Sequence, residues 1–285
     1  MTLSGPDTPL TADPVGLPRW PAAEGVHDHL QYHLFFENFF VHVRVFCGTT
    51  MENTVVWTSD EAGNIKELVK ILKPITQGPE DFCHLSHEEI DISDGPAGGV
   101  ISCPKVGLEI KFQSQKDFRW LPGGQTSFPV IHRPWLKLQM TYDGKTMEGT
   151  GYSKRYWGIY GPHWGYRFIQ TSNLPAPYVA CWTADATFGL AKYNYFKLLK
   201  QDGTVTEAKS EDTYQQDADG YAYIEGQKYH AHVDPVGEWV HDYVSEGLIT
   251  NSRMQLRYCK FTLTLPTGEK VEGNALNERC FGAIA

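Results

Sequence analysis

Residues 136–152 read LKLQMTYDGKTMEGTGY. Leu136, Leu138, Met140 and Tyr142 alternate with Lys137, Gln139 and Thr141, a period of two that gathers the apolar side chains on one face of a strand. Asp143-Gly144 follows, and both residues tolerate the positive φ that a tight hairpin requires. Residues 147–152 then resume strand character, so this stretch predicts an antiparallel hairpin.

The same signal recurs outward along the chain. Candidate strands are residues 39–46, 54–58, 99–102, 107–113, 165–171, 178–183, 192–199, 220–224, 228–233, 254–264 and 271–273, punctuated by Gly, Asp, Asn and Pro. Further turns are expected at Asp202-Gly203 and at Ala218-Asp219-Gly220. In the strand at 39–46, Phe39, Val41, Val43 and Val45, with Cys47 beyond, form the face expected to meet the core, whereas Phe40, His42, Arg44 and Phe46 share the other. Helical spacing is confined to residues 64–72, where Ile65, Leu68, Val69 and Leu72 recur, and to a short segment at 237–248. The expected fold class is all-β with minor helix: two antiparallel barrel or sandwich lobes, residues 26–145 and 146–285, behind an extended arm at 1–25.

Composition narrows the function classes. The chain has 285 residues, 41% hydrophobic and 21% charged, with no apolar run long enough to span a bilayer as a helix. A formal charge of −9 and a pI near 5.6, with no run of Lys or Arg, argue against a nucleic-acid partner. The N-terminal arm lacks the basic and apolar regions of a secretory or transit signal, so a cytoplasmic location is expected. Six scattered cysteines without a CxxC pair read as buried reduced thiols.

The segment 148–170, EGTGYSKRYWGIYGPHWGYRFIQ, departs most from a generic β-protein. Its glycines let ring faces approach a backbone or a ligand. Lys154, Arg155, His163 and Arg167 lie among Tyr152, Tyr156, Trp157, Tyr160, Trp164 and Tyr166. Cationic donors beside flat apolar surfaces suit a ligand that is mostly hydrocarbon with a few oxygens. Lys154 or Arg155 could polarise a ligand carbonyl, and phenols such as Tyr152 or Tyr195 could donate to developing enolate charge. Consecutive Lys154 and Arg155 point to opposite faces of a strand, so at most one serves a given cavity. Asp185, in CWTADATFG, is a candidate general acid close to Trp182. The catalytic candidates are therefore Tyr152, Lys154, Arg155, His163 and Asp185, and the substrate-binding candidates are Trp157, Trp164, Tyr166, Trp182, Tyr193 and Tyr195.

The runs GTGYSKRYWG, HWGYRF, PYVACWTADATFG and KYNYFKLLKQDG resemble the two-lobed lipocalin-like proteins, which include carotenoid 1,2-hydratases, AttH-type proteins and fungal lipocalin-like Diels–Alderases. Gly149, Gly151, Tyr152, Trp157, Gly158, Trp164 and Trp182 follow the order of that group over residues 140–205. Where its hydratase-like members carry an Asp-His pair, this chain has Lys154-Arg155. The resemblance implies two lipocalin-like lobes, a cavity between them for a terpenoid or polyketide skeleton, and a reaction without a redox cofactor. The expected activity is that of a cofactor-independent, pericyclase-like isomerase or cyclase. A hydratase or dehydratase of the same substrates and a non-catalytic carrier are the alternatives.

Two further clusters have metal-ligand chemistry. His230 and His232 share one strand face, with Asp234 two residues on, and a third ligand would come from His241, Glu238 or the cluster His27-Asp28-His29. His84-x-x-His87-Glu88-Glu89 is the second. Neither is complete as a signature, and no metal is assigned. Nucleophile elbows and glycine-rich phosphate cradles are absent from the sequence.

Overall fold

The computed structural model describes residues 5–9, 26–48, 54–71, 84–95, 97–115, 120–123, 130–159, 163–188, 191–243 and 249–284. The chain divides into two compact units, one of residues 6–60 and 66–159 and the other of residues 1–5, 61–65 and 160–285. Each is built on one antiparallel sheet; the first curls into a half-barrel and the second into a nearly closed barrel.

In the first unit the strand order is Ile65–Ile71, Thr54–Asp60, Phe39–Gly48, Val26–Phe36, Lys145–Ile159, Val130–Tyr142, Leu108–Ser114, Gly98–Cys103, Ile90–Gly95 and His84–His87. The hairpin at Asp143-Gly144 forms as expected, with φ of 50° and 71°. Its register pairs Leu138 with Gly149 and Leu136 with Gly151. A Cβ on Gly149 would lie 2.3 Å from the Phe35 carbonyl oxygen. The missing side chain is therefore what lets the strand Lys145–Ile159 lie against Val26–Phe36. One face of the sheet carries the core: Leu30, Tyr32, Leu34 and Phe36 meet Val41, Val43 and Val45, then Leu136, Leu138 and Met140.

Among the described residues that core encloses an ion pair. Arg133, on Val130–Tyr142, donates from Nη1 to Asp94 Oδ1 at 2.7 Å and from Nη2 to Asp94 Oδ2, and its Nε reaches Ser153 Oγ at 2.8 Å. Tyr32 donates to Asp94 Oδ2 at 2.6 Å. Burial, and then the Asp94 charge, raise the Tyr32 phenol well above its ordinary value. Asp94 and Arg133 are 1% and 3% exposed. Every strong acceptor of the carboxylate is engaged, which is what burying the pair requires.

In the second unit the order is Val205–Ala208, Ala191–Lys200, Tyr178–Phe188, His163–Thr171, Lys270–Ile284, Ile249–Thr264, Gln227–Tyr243, Asp219–Ile224 and Thr213–Gln216. Ile169, Cys181, Phe196, Leu198, Val233, Cys259, Phe261 and Leu263 fill its interior. Cys103, Cys181, Cys259 and Cys280 are buried free thiols, and burial pushes Cys103 and Cys259 up to about 12. Cys83 and the side chain of Cys47 lie outside the described residues, as does most of the arm at 1–25.

Three expectations are corrected. Residues 64–72 do not form a helix: Ile65–Ile71 is a strand in which Val69 and Ile71 are buried on alternate positions, and β-branching at 65, 69 and 71 favours the pleat. The second helix, expected at 237–248, falls in the strand Gln227–Tyr243 as far as it is described. Among the described residues the helical turns are two short 3₁₀ segments, Pro104–Val106 and Ser210–Asp212. The turn expected at Ala218-Asp219-Gly220 sits earlier, with Asp217 at φ 49° and Gln216 paired with Asp219. Asp219 and Gly220 thereby become strand residues. No helix among the described residues is long and apolar enough to cross a membrane.

Candidate functional site

Across the strands Thr54–Asp60, Phe39–Gly48, Val26–Phe36 and Lys145–Ile159 the first unit's sheet is buried on its second face as well, and there it carries polar side chains, whereas Lys137, Gln139, Glu109 and Lys111 leave that face exposed on the strands beyond. Register aligns Tyr152 with His33, His33 with His42 and His42 with Trp57, across four neighbouring strands. All four side chains are 0% exposed. Their rings form a continuous row: His33 and Tyr152 centroids are 5.1 Å apart, His33 and His42 5.4 Å, and His42 and Trp57 5.4 Å. One row along, Lys154 pairs with Gln31, and Gln31 with Arg44. On the other side Phe35 and Phe40 pack at 5.1 Å, giving the face an apolar border.

Hydrogen bonding sets the chemistry of the row. Tyr152 hydroxyl and His132 Nδ1 share a short hydrogen bond. His33 Nε2 lies 3.2 Å from Gln31 Oε1, an acceptor, so that nitrogen carries the proton. Both nitrogens of His42, and Nε1 of Trp57, have no hydrogen-bond partner among the described residues. Burial, followed by the charges of His33, Arg44 and Lys154, lowers the His42 imidazole well below its ordinary value. A neutral imidazole with a free lone pair and a free N–H is thus held in the row between His33 and Trp57, and His33 separates it from the Tyr152 phenol that His132 backs.

A pH effect follows from His42. Its folded value lies below the unfolded value of 6.5. Above that pH both states are neutral, and as pH falls below it only the unfolded chain takes the proton. Stability should therefore decline below about pH 6.5, by up to about 1.4 kcal/mol per pH unit. His42→Phe should flatten that part of the profile when urea midpoints are compared from pH 7.5 to 5.

The sequence-derived residues separate as follows. Tyr152 and Lys154 share this face. Arg155 pairs through its backbone with Leu30, in the alternate row, and its side chain lies outside the described residues, as do those of Trp157, His163, Trp164 and Tyr193. Tyr166, Trp182, Asp185 and Tyr195 belong to the other unit. Trp182 aligns with Gln170 on the outer face of that barrel. On the same outer face Tyr166 donates to Glu278 Oε1 at 2.7 Å. Asp185 instead aligns with Arg167 and Asn194 on the barrel-interior face, one strand alternation away from Trp182. Glu278, 0% exposed, escapes sequence reading, although a carboxylate in ALNERCF at a position that alternation assigns to a buried row is the signal for it.

A concavity of about 530 Å³ opens at the hairpin end of the first unit, beside Glu37, Asn38 and Asp143, and none of the sequence-derived residues lines it. The cluster at His84–His87 is a hairpin whose Glu88 and Glu89 pair with Lys105 at 3.3 and 3.5 Å. The pair His230 and His232 meets Asp219, which sequence did not single out, and His232 also reaches Asp234 at 3.3 Å, the carboxylate that the spacing placed beside it.

No family model matches the chain, and the curated proteins give no match. Solved structures do. Kievitone hydratase from Nectria haematococca aligns with a TM-score of 0.56 at 12% identity, over 100% of this chain and 96% of its own. A candidate AttH from Nitrosomonas europaea aligns at 0.55 and 11%, over 98% and 99%. CghA, solved with Sch210972, aligns at 0.55 and 10%, over 92% and 89%. At these identities the likeness is one of fold, and it runs through both units: the chain has the fold of the two-lobed lipocalin-like proteins.

Proposed function

We propose that the protein is a cofactor-independent isomerase or cyclase acting on a hydrophobic natural product of the terpenoid or polyketide class. The observation that carries this reading is the buried row Tyr152, His33, His42 and Trp57, with His132 behind the phenol. Tyr152 donates a hydrogen bond to a substrate oxygen as negative charge develops there, and His132 restores its proton. Lys154, in the adjacent row, supplies a cation that polarises a carbonyl. Phe35, Phe40 and Trp57 offer the apolar surface on which a folded hydrocarbon skeleton is held in a near-attack conformer.

A second reading, hydration or dehydration of the same substrate class, is favoured by the buried Glu278 bonded to Tyr166. That pair is a proton source of the kind water addition needs, and kievitone hydratase shares the fold. The two readings differ in mass balance. The purified protein should be incubated with a metabolite extract from a host strain lacking it, and the products followed by liquid chromatography and mass spectrometry. Conversion of one compound to a product of equal mass supports the first reading. A product differing by one water supports the second and overturns the first. Retention of a compound without conversion identifies a carrier and overturns both.

A further inference from the structure

On the second unit's sheet, Asp219, His230 and His232 converge from two neighbouring strands. Asp219 and His232 are register partners, and Tyr221 and His230 are the next pair on the same face. Asp219 Oδ1 lies 2.6 Å from His230 Nε2 and 2.8 Å from His232 Nδ1. His232 Nε2, at the far side of its ring, is 3.3 Å from Asp234 Oδ1. These contacts set three ring nitrogens against carboxylate oxygens, whereas two neutral imidazoles carry only one N–H each. One contact is therefore a lone pair facing a lone pair unless an additional positive charge, a proton or a metal ion, resides in the cluster.

We propose that Asp219, His230 and His232 bind a divalent first-row transition ion such as zinc through one carboxylate oxygen and two imidazole nitrogens. The three donor atoms lie within 4.8 Å of one another. Around a tetrahedral zinc, with bonds of about 2.0–2.1 Å, such atoms stand about 3.3 Å apart, so small side-chain rotations open the present arrangement to coordination. The surroundings are those of a built site. The His230 ring stacks on Tyr221 at 4.5 Å and 5°, Tyr221 stacks on Tyr214 at 4.7 Å, and Lys228 Nζ caps Tyr221 at 4.5 Å. That stack fixes the plane in which His230 presents Nε2. Asp234 accepts the Nε2 proton of His232 and thereby leaves Nδ1 as the ligating atom, the orienting role that outer carboxylates play at histidine-metal sites. Two nitrogens and one oxygen favour zinc, nickel or copper over calcium or magnesium, which prefer all-oxygen shells. The three side chains are about a third exposed, so an ion and its remaining water ligands reach them from solvent.

The bound ion clamps Asp219–Ile224 to Gln227–Tyr243 and is independent of the proposed substrate face. Calorimetric titration of chelator-treated full-length protein with zinc chloride should show one saturable site, and thermal melting should shift upward with added zinc. His230→Gln, His232→Gln and Asp219→Asn should each abolish that event while leaving the far-ultraviolet circular dichroism unchanged. Asp234→Asn should weaken binding about tenfold. A titration without saturable heat overturns the assignment. So does an isotherm unchanged in Asp219→Asn and His232→Gln, which would place the ion on other histidines of the chain.

Discussion

Asp94→Ala should destabilise the protein by about 3–5 kcal/mol, the cost of leaving a desolvated guanidinium without its counter-charge. Asp94 accepts from both terminal nitrogens of Arg133 and from Tyr32, inside an otherwise apolar core. Truncation removes all three bonds at once, and at 3% exposure Arg133 has little access to water in exchange. Measured against a typical total of about 5–15 kcal/mol, such a loss lowers the urea midpoint severely. Replacing both partners, Asp94→Leu with Arg133→Met, should recover most of it, because the cost lies in the orphaned charge rather than in the missing bonds. A single-variant loss below about 1 kcal/mol would mean that the pair behaves as a solvated surface bridge and that this end of the core is wet.

Alternation made the strands legible. Phe39, Val41, Val43 and Val45 meet the first unit's core as their spacing predicts. Period two, however, tells which residues share a face and not whether that face is covered. Phe40, His42 and Arg44 were legible as a set, whereas their complete burial was not. The strand Val26–Phe36, HDHLQYHLFF after its first valine, carries the same pattern, with Gln31 and His33 on one face and Leu30, Tyr32 and Leu34 on the other. Its polar half obscured it as a central strand. Residues 64–72 fit helical and strand periods equally over so short a span, and pairing with Thr54–Asp60 settled the matter.

The candidate residues show the same limit more sharply. A turn at Asp217 instead of Asp219 changes the pairing register, and only the observed register sets Asp219 opposite His232. Tyr166 and Glu278 are 112 residues apart and meet because His163–Thr171 pairs with Lys270–Ile284. Tyr152 and Lys154 stood out from their own neighbourhood, while His33, His42, Trp57 and His132 join them through four strand pairings that no local motif encodes.

Tyr152→Phe should lower kcat by about 10²–10⁴ on the substrate identified from host metabolites, with KM changed little. The substitution keeps the ring that packs against His33 and removes one oxygen, so the row's packing survives. What disappears is the hydroxyl whose proton His132 Nδ1 shares. If that hydroxyl stabilises charge only in the transition state, the loss falls on turnover and spares binding. His132→Phe should reproduce part of the effect, since an unbacked phenol still donates a hydrogen bond but no longer has its proton relay. Together the two variants separate shape from chemistry: unchanged turnover in Tyr152→Phe would reduce the row to a stacking surface, and raised KM with unchanged kcat would make it a binding contact alone.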